Sequence, residues 1–429
     1  TMQTINNLSV TGGSNFIRYF TNVGYTVQDG VYREDLGSEY PTNAQIKRYN
    51  FRSNVDIDVS PTLKMYLGLG GIIQSGNYPG GGSSYDIFHA MRFVPGYAFA
   101  PLNPDGTVSA TTGYPGIGLH QNPFAMVARA GYTRQDRSTL QGTFSTKWDL
   151  SKLVTKGLAI SGRFAYDRYN QNDNYRGKPY LVKQYLGKDA NGVDQYTVVR
   201  QEQPMGYGIG SGANRAIYTE LQISYDRSFG NHGFSGMVLY NDRDYVDLTA
   251  GSSILNLPYR QQGFAGRVTY NYDNRYLAEF NAGYNGSENF PEGKRFGFFP
   301  SVSVGWNVAR EKFFDVGFIN NLKLRASRGR VGNDQIGGTR FLFLTKINPA
   351  GQSYRFGVGN VNTLQGAQEA LTGNPNVTWE VATKNNVGLD LDLFNNRISL
   401  QVDLFNEVRE GILIQRQTIP EVVGILPAA

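Results

Sequence analysis

The chain has 429 residues, with 52 glycines, 28 tyrosines, 25 phenylalanines, no cysteine and a net charge of +6. The lack of cysteine excludes disulfide scaffolds, cysteine-ligated zinc and thiol catalysis. The basic residues are dispersed without a run of five, so we expect no nucleic-acid partner. The mean hydropathy is -0.39, and no apolar stretch is long enough for a membrane-spanning helix.

The strongest local pattern is an alternation of apolar and polar residues with a period of two, which predicts strands with one apolar face. In chain order it is clear from Tyr49 to Val59 and again from Ile217 to Asp226, where Ile217, Leu221 and Ile223 alternate with polar side chains. The pattern predicts about fourteen strands, with approximate bounds at residues 6–11, 14–25, 45–60, 62–74, 138–150, 157–171, 213–228, 231–246, 258–273, 274–289, 297–309, 320–332, 378–393 and 396–411.

The predicted connections alternate between short and long along the chain. The long ones span residues 26–44, 75–137, 172–212, 244–257, 286–296 and 333–377. Short turns on one rim and long loops on the other are typical of outer-membrane β-barrels. Because unpaired main-chain groups are costly in hydrocarbon, such a sheet must close on itself. The sequence therefore predicts an all-β protein, a transmembrane antiparallel β-barrel in the cell outer membrane. Tyr270, Tyr272, Tyr276 and Trp306 are expected at the boundary between lipid headgroups and hydrocarbon.

Four blocks of the sequence resemble the SusC/RagA-type TonB-dependent transporters of the Bacteroidetes, and the resemblance extends over essentially the whole chain. The longest block, LPYRQQGFAGRVTYNYDNRYLAEFNAGYNGSENFPEGKRFGFFPSVSVGW, begins at Leu257. The others are IFHAMRFVPGYAFAPLNPDG from Ile87, LKLRASRGRVGNDQIGGTRFLF from Leu322 and GNPNVTWEVATKNNVGLDLDLFNNRISLQVDLFNE from Gly373.

The resemblance implies a barrel of about 22 strands that is filled by a plug domain, opened by TonB with ExbB and ExbD, and covered by a SusD-like surface lipoprotein. It also leaves open a dimer of transporter–lipoprotein pairs. No TonB box or plug is recognisable in this sequence. We therefore expect residues 1–429 to be a partial barrel, with about fourteen of the strands and with both ends truncated.

The sequence offers no convincing catalytic, cofactor or metal site. His89, His120 and His232 are expected in two loops and a turn, without the spacing of metal ligands. There is no Gly-x-Ser-x-Gly elbow, so we predict that the chain is not an enzyme. The glycine-rich stretches near residues 80 and 210 are interpreted as outer loops, because no Lys-Ser/Thr pair follows them. The pairs Asp56/Asp58 and Asp390/Asp392 are expected on the lumen face.

The predicted loop 75–137 is the best candidate for contact with a ligand, because it combines aromatic rings with hydrogen-bonding side chains. These rings suit sugars and peptide side chains equally, and packing of the loop on itself is the alternative. The candidate residues are Tyr85, Asp86, Phe88, Arg92, Phe93, Tyr97, Phe99, Tyr114, Asn122 and Arg129.

The first functional hypothesis is active import of an oligomeric nutrient, with oligosaccharide favoured over oligopeptide. It requires TonB as the source of energy, a SusD-like lid and outer-membrane lipid around the barrel, and no cofactor. The alternatives are a passive porin or a surface adhesin built on a barrel, and a secreted soluble β-protein.

Overall fold

The computed structural model describes residues 2–33, 36–38, 40, 42–94, 97, 99–110, 118, 121–335, 337 and 339–414. The described part of the chain is all-β, with three short α-helices and one 3-10 turn. In chain order the elements are β1 (Gln3–Gly13), β2 (Ile17–Gln28), β3 (Gln45–Asp58), β4 (Leu63–Pro79), α1 (Ser84–Phe93), β5 (Val108–Ser109), α2 (Pro123–Ala128), β6 (Gly131–Asp149), β7 (Leu158–Gly177), β8 (Val182–Lys188), β9 (Asp194–Arg200), β10 (Gly208–Phe229), β11 (His232–Asp247), α3 (Ser253–Asn256), β12 (Tyr259–Tyr272), β13 (Tyr276–Ser287), β14 (Phe296–Asn307), the 3-10 turn (Val308–Arg310), β15 (Ile319–Asn333), β16 (Lys346–Asn348), β17 (Ser353–Phe356), β18 (Asn362–Gln365), β19 (Gln368–Leu371), β20 (Glu380–Leu393) and β21 (Ile398–Glu410).

One antiparallel sheet of 14 strands, which we call the large sheet, dominates the fold. Its spatial order is β1-β2-β3-β4-β6-β7-β10-β11-β12-β13-β14-β15-β20-β21, so each strand lies beside its nearest neighbours along the chain. The remaining strands form small sheets inside the long connections. Each of the fourteen predicted segments overlaps a strand of the large sheet, and the expectation of a large antiparallel sheet is confirmed.

The register of the large sheet separates an apolar face from a polar face. Residues that pair directly across a ladder lie on the same face. Leu221 pairs with Tyr240, Tyr240 with Phe264, and Phe264 with Tyr284, so four neighbouring strands contribute to one apolar row. Leu221, Phe264 and Tyr284 are exposed, with 54% of Leu221 accessible, and Tyr240 is half-buried. The apolar face therefore presents a continuous surface of large side chains.

Charged and amide side chains line the polar face, where they pair between strands. Arg325 on β15 lies 3.2 Å from Asp390 on β20 and 2.7 Å from Asp403 on β21. Arg267 on β12 lies 2.7 Å from Glu279 on β13. Such partly exposed ion pairs contribute little net stability, but they fix polar side chains on a hydrated face.

The short rim of the large sheet carries tight connections and aromatic side chains. Asp273 and Asn274 both have φ of 51° in the turn between β12 and β13, a left-handed conformation that Asp and Asn tolerate better than most residues. Tyr272 and Tyr276 flank this turn as a direct pair, and Tyr276 also pairs with Trp306. These rings cluster at the short-connection end of the apolar face.

The other rim carries most of the long connections, at residues 29–44, 80–130, 178–207, 248–258, 288–295 and 334–379, whereas the connection 308–318 lies at the short rim. Several strands extend further toward this long rim than the sequence predicts. β6 begins at Gly131 rather than near residue 138, and β7 continues to Gly177 rather than ending near 171. The glycine-rich stretch near residue 210, interpreted above as a loop, forms the start of β10. These extensions are polar on both faces, so the apolar alternation that indicates a strand is missing.

The division into faces predicts different effects for neighbouring substitutions on β10. Ile223 lies on the apolar face between Val238 and Ile160, whereas the adjacent Gln222 points to the polar face. If lipid covers the apolar face, Ile223→Arg in the full-length protein should destabilise the fold by about 2–4 kcal/mol. Denaturant-induced unfolding in lipid vesicles measures this loss. Gln222→Arg is the matched control, and equal destabilisation by both variants would contradict the assignment of the faces.

Candidate functional site

The long connections 29–44 and 80–130 share a small apolar core. Ile87 and Ala90 on α1 pack with Met126 and Val127 on α2, and Tyr32 from the first connection completes the cluster. Ile87 has no accessible surface. Two connections that are far apart in sequence are thereby joined above the long rim.

A second core adds the connection 178–207 to the same body. Val108 and Ala125 from the connection 80–130 pack with Tyr180 and Val182. The short β5 pairs in parallel with β8, and β8 pairs with β9, which forms a three-stranded sheet between the connections. We call the body formed by the described residues within 29–44, 80–130 and 178–207 the loop platform.

Two buried asparagines hold the loop platform together from inside. The Asn122 amide donates to the carbonyl oxygens of Pro101, at 2.8 Å, and Ser109, at 3.1 Å, while its Oδ1 accepts from the backbone N–H of Phe124 at 3.1 Å. Only 1% of Asn122 is accessible. The Asn103 amide donates to the Lys183 carbonyl at 3.1 Å. Because the amide groups of both asparagines have partners, these hydrogen bonds stabilise one arrangement of the connections.

An ion pair at the edge of the platform reinforces this arrangement. Lys183 Nζ donates to Asp105 at 2.8 Å, and the Thr107 hydroxyl donates to the same carboxylate at 2.5 Å. Partial desolvation acts to raise the pKa of Asp105, but the hydrogen bonds from Lys183 and Thr107 outweigh it and lower the pKa from 3.8 to about 2. The carboxylate therefore stays charged and bound at neutral pH.

Helix α1 turns an aromatic face away from the platform core. Ser83 caps the helix in a reciprocal arrangement with Asp86, which fixes its start. Tyr85, His89 and Phe93 follow at intervals of four residues and lie on one side of the helix. The ring centroids of Tyr85 and His89 are 5.8 Å apart, and those of His89 and Phe93 are 4.4 Å apart. We call these three residues the aromatic stripe.

The aromatic stripe is open to solvent and has a cation beside it. Tyr85 is 75% accessible and Phe93 is 48% accessible. The Arg92 guanidinium carbon lies 5.5 Å from the centre of the Phe93 ring. Phe88, on the flank of the stripe, stacks against Tyr32 with ring centroids 6.1 Å apart. Exposed rings beside hydrogen-bonding groups can stack on a flat apolar surface of a ligand and bind its polar rim.

The structure places nine of the ten predicted site residues, in three different settings. Those on α1 form or flank the aromatic stripe, although Asp86 is engaged in the helix cap: Tyr85, Asp86, Phe88, Arg92 and Phe93. Tyr97 is 91% accessible beyond the helix, and Phe99 is half-buried. Asn122 and Arg129 cap the two ends of α2, where Arg129 also donates to the Gly37 carbonyl. Tyr114 lies outside the described residues.

His89 is the member of the stripe that the sequence interpretation missed, because it was treated as an isolated loop histidine. The Ser83-x-x-Asp86 cap followed by rings at four-residue spacing was the signal for a helix with an aromatic face. His232 begins β11, and its Nδ1 lies 2.8 Å from the Tyr270 hydroxyl. His120 lies outside the described residues.

A second group of connections is pinned by a buried arginine. Arg340, in the connection 334–379, is 3% accessible and donates to the carbonyl oxygens of Leu257 and Pro258 in the connection 248–258. Its guanidinium carbon lies 3.7 Å from the centre of the Tyr259 ring and 4.6 Å from that of Phe341. The side chain thus locks two connections together by planar stacking and multiple donation.

Two kinds of site do not occur in the described part of the chain. No group of three or more His, Asp or Glu residues there could hold a metal ion. Among the same residues, no helix has the length and apolar character needed to cross a membrane.

Comparisons with known proteins agree with the architecture. No protein-family model matches the chain. It is 27% identical to TonB-dependent receptor P3 of Formosa agariphila, over 97% of this chain and 41% of that receptor. It is 35% identical to TonB-dependent receptor SusC of Bacteroides thetaiotaomicron, over 35% of this chain and 15% of SusC. The RagAB peptide importer in its open-open state matches 99% of this chain and 45% of that chain, with a TM-score of 0.67 and 19% identity.

The large antiparallel sheet is of the class found in the barrels of TonB-dependent transporters. Within that class, the chain is related to TonB-dependent receptors of the SusC/RagA type, as the sequence resemblance predicts. The chain spans about two-fifths of the length of the curated relatives it matches. These relatives are named as receptors, which agrees with the interpretation of the chain as a non-enzyme.

Two substitutions at Asn122 separate its roles in the platform. Asn122→Ala removes the cap of α2 and both donated hydrogen bonds, so it should destabilise the platform by about 1–3 kcal/mol or more. Asn122→Asp retains an acceptor for the Phe124 N–H but can no longer donate to Pro101 and Ser109. Limited proteolysis of the full-length protein should cleave the connection 80–130 faster in both variants, and at least as fast in Asn122→Asp, because its buried carboxylate would face the Pro101 and Ser109 carbonyl oxygens. Unchanged cleavage in both would contradict the structural role.

The lowered pKa of Asp105 predicts a pH dependence of the platform. Because its folded pKa is below the ordinary value, the bound carboxylate adds stability above about pH 4, and this contribution is lost as the pH falls toward about 2. Hydrogen exchange in residues 100–110 should accelerate over this window. Asp105→Asn should remove that acceleration, and an identical pH profile in the variant would contradict the assignment.

Proposed function

We propose that this chain forms most of the wall of an outer-membrane β-barrel that imports an oligomeric nutrient. TonB, with ExbB and ExbD, supplies the energy through parts of the protein beyond the matched region, and a SusD-like lipoprotein covers the outer opening. The wall belongs to a larger barrel with an internal plug, as the resemblance to SusC/RagA-type transporters implies. The chain itself performs no covalent chemistry in this scheme.

One observation carries the proposal: a continuous antiparallel sheet has one apolar face, one charged face and most of its long connections at the same rim. In a closed barrel, the apolar face would contact lipid and the polar face would line the interior. An aqueous protein would have to cover the exposed apolar rows with a second layer. Location in the outer membrane accounts for the exposed apolar rows without a second layer of protein, because lipid would cover them.

In this proposal, the cargo binds first at the loop platform. It lies at the rim that would face outside, and its two apolar cores and buried amides hold it in one arrangement. A rigid body of this kind can present the aromatic stripe at a fixed position to cargo, which lowers the conformational cost of binding. Oligosaccharide remains the favoured cargo, with oligopeptide second.

Transport in cells tests the proposal. Cells that express the full-length receptor should accumulate fluorescent oligosaccharides or oligopeptides, and uptake should stop when a protonophore dissipates the inner-membrane proton gradient. The two labelled pools identify the cargo class. Uptake that continues without the gradient would overturn active import in favour of a passive porin.

The aromatic stripe should contribute to that uptake. Tyr85→Ala combined with Phe93→Ala removes two exposed rings and should weaken cargo binding about ten-fold or more, because each stacked ring contributes on the order of 1 kcal/mol. Titration of the purified full-length receptor with the imported cargo measures this change. Phe313→Ala is the control, since Phe313 is 73% accessible in the short-rim connection 308–318. Equal losses in both variants would remove the stripe from the binding site.

A further inference from the structure

Two arginines oppose each other on the apolar face of the large sheet, inside strands β7 and β10 and away from the ends of both. Arg168 on β7 pairs directly with Arg215 on β10. Two residues along each strand, toward the short rim, the same face carries Tyr166 and Ile217, which also pair with each other. The cations therefore lie where the apolar surface ends.

This arrangement leaves positive charge that the neighbouring carboxylates do not fully offset. Asp244 lies 3.4 Å from Arg215 and also 3.4 Å from Arg260, so one carboxylate serves two guanidinium groups. Arg260 has a further acidic neighbour, Glu288, at 3.9 Å. Arg168 donates only a 3.4 Å hydrogen bond to the Asn170 amide oxygen among the contacts of the described residues. Like charges directly opposite each other on a sheet repel, so this pair favours an added anion.

The surroundings indicate what kind of anion fits. A guanidinium presents parallel N–H donors that match phosphate oxygens, and two of them side by side can hold one phosphate from both sides. Leu140 on β6 pairs directly with Arg168, and Phe164 lies on the same face toward the short rim; the two side chains are 49% and 45% accessible. A ligand that carries a phosphate at one end and hydrocarbon at the other would contact both surfaces.

Further cations lie on the apolar face of neighbouring strands, closer to the long rim than the arginine pair. Lys47 on β3 and Arg134 on β6 lie on this face, and both line a cavity of about 670 Å³. Arg134 is 3.2 Å from Asp136. Basic side chains therefore also occur on this face between the level of the arginine pair and the long rim.

We propose that Arg168 and Arg215 bind the phosphate of an anionic glycolipid in the outer leaflet. The inference rests on the proposed function, since it requires lipid to cover the apolar face. The apolar rows hold the acyl chains, and the paired guanidinium groups hold the headgroup. The contact fixes the depth of the sheet in the membrane.

Lipid binding to the purified full-length receptor tests the inference. A phosphorylated lipid A should raise the thermal unfolding temperature in mild detergent, and native mass spectrometry should detect the bound lipid. Arg168→Gln combined with Arg215→Gln should reduce the affinity about ten-fold or more. Arg227→Gln is the matched control, because Arg227 lies on the same face of β10 at the short rim and stacks over Phe229. Heat-modifiable gel migration verifies that each variant is folded.

The outcomes separate the possible sources of the phosphate. Equal affinity in the double variant and the wild type would overturn the site. Equal stabilisation by inorganic phosphate alone would overturn the lipid assignment in favour of a free anion, and equal binding of dephosphorylated lipid A would remove the role of the phosphate. The Arg168→Lys and Arg215→Lys double variant should retain part of the affinity, since lysine keeps the charge without the paired donors. Failure of Ile223→Arg to destabilise the protein in lipid would instead contradict the membrane proposal itself.

Discussion

Main-chain hydrogen bonding between neighbouring strands is the constraint on which the other features depend. Each ladder of the large sheet fixes which residues share a face, and a shift by one residue would exchange the apolar and polar faces along a whole strand. The rows through Leu221 and the ion pairs around Arg325 exist because fourteen strands keep a consistent register. The distribution of charge over the molecule follows from this register and not from local composition.

The same register determines where recognition can occur. All strands begin or end at one of two rims, and the connections at the long rim have enough residues to fold on their own. These connections are stabilised in the same way as a small soluble domain, by apolar cores, capped helices and buried amides. The molecule thus combines a large sheet, whose strands are specified by alternation of apolar and polar residues, with a loop platform that is specified by side-chain packing. The aromatic stripe lies on the platform, and the paired Arg168 and Arg215 lie on the apolar face of the wall.

The sequence predicted the wall well and the platform poorly, for different physical reasons. A period of two is a local signal, so segments such as Ile217–Asp226 identified their strands without any knowledge of partners. It failed where strands become polar on both faces, as at the start of β6 and β10. The platform depends on contacts between residues distant in sequence, such as Tyr32 with Phe88 and Asn103 with Lys183, which no local pattern reports. Hence Asn122 was selected for its hydrogen-bonding groups, whereas the fold uses all of them internally.

The shared interior of the three connections also limits how the protein can diversify. A lone surface loop can lengthen or be replaced with little effect on its neighbours, but residues 29–44, 80–130 and 178–207 bury one another's side chains. A change in one of them must be accommodated by the other two. Exchange of ligand preference between related proteins would therefore require transplanting all three segments together, as a single cassette on an unchanged scaffold.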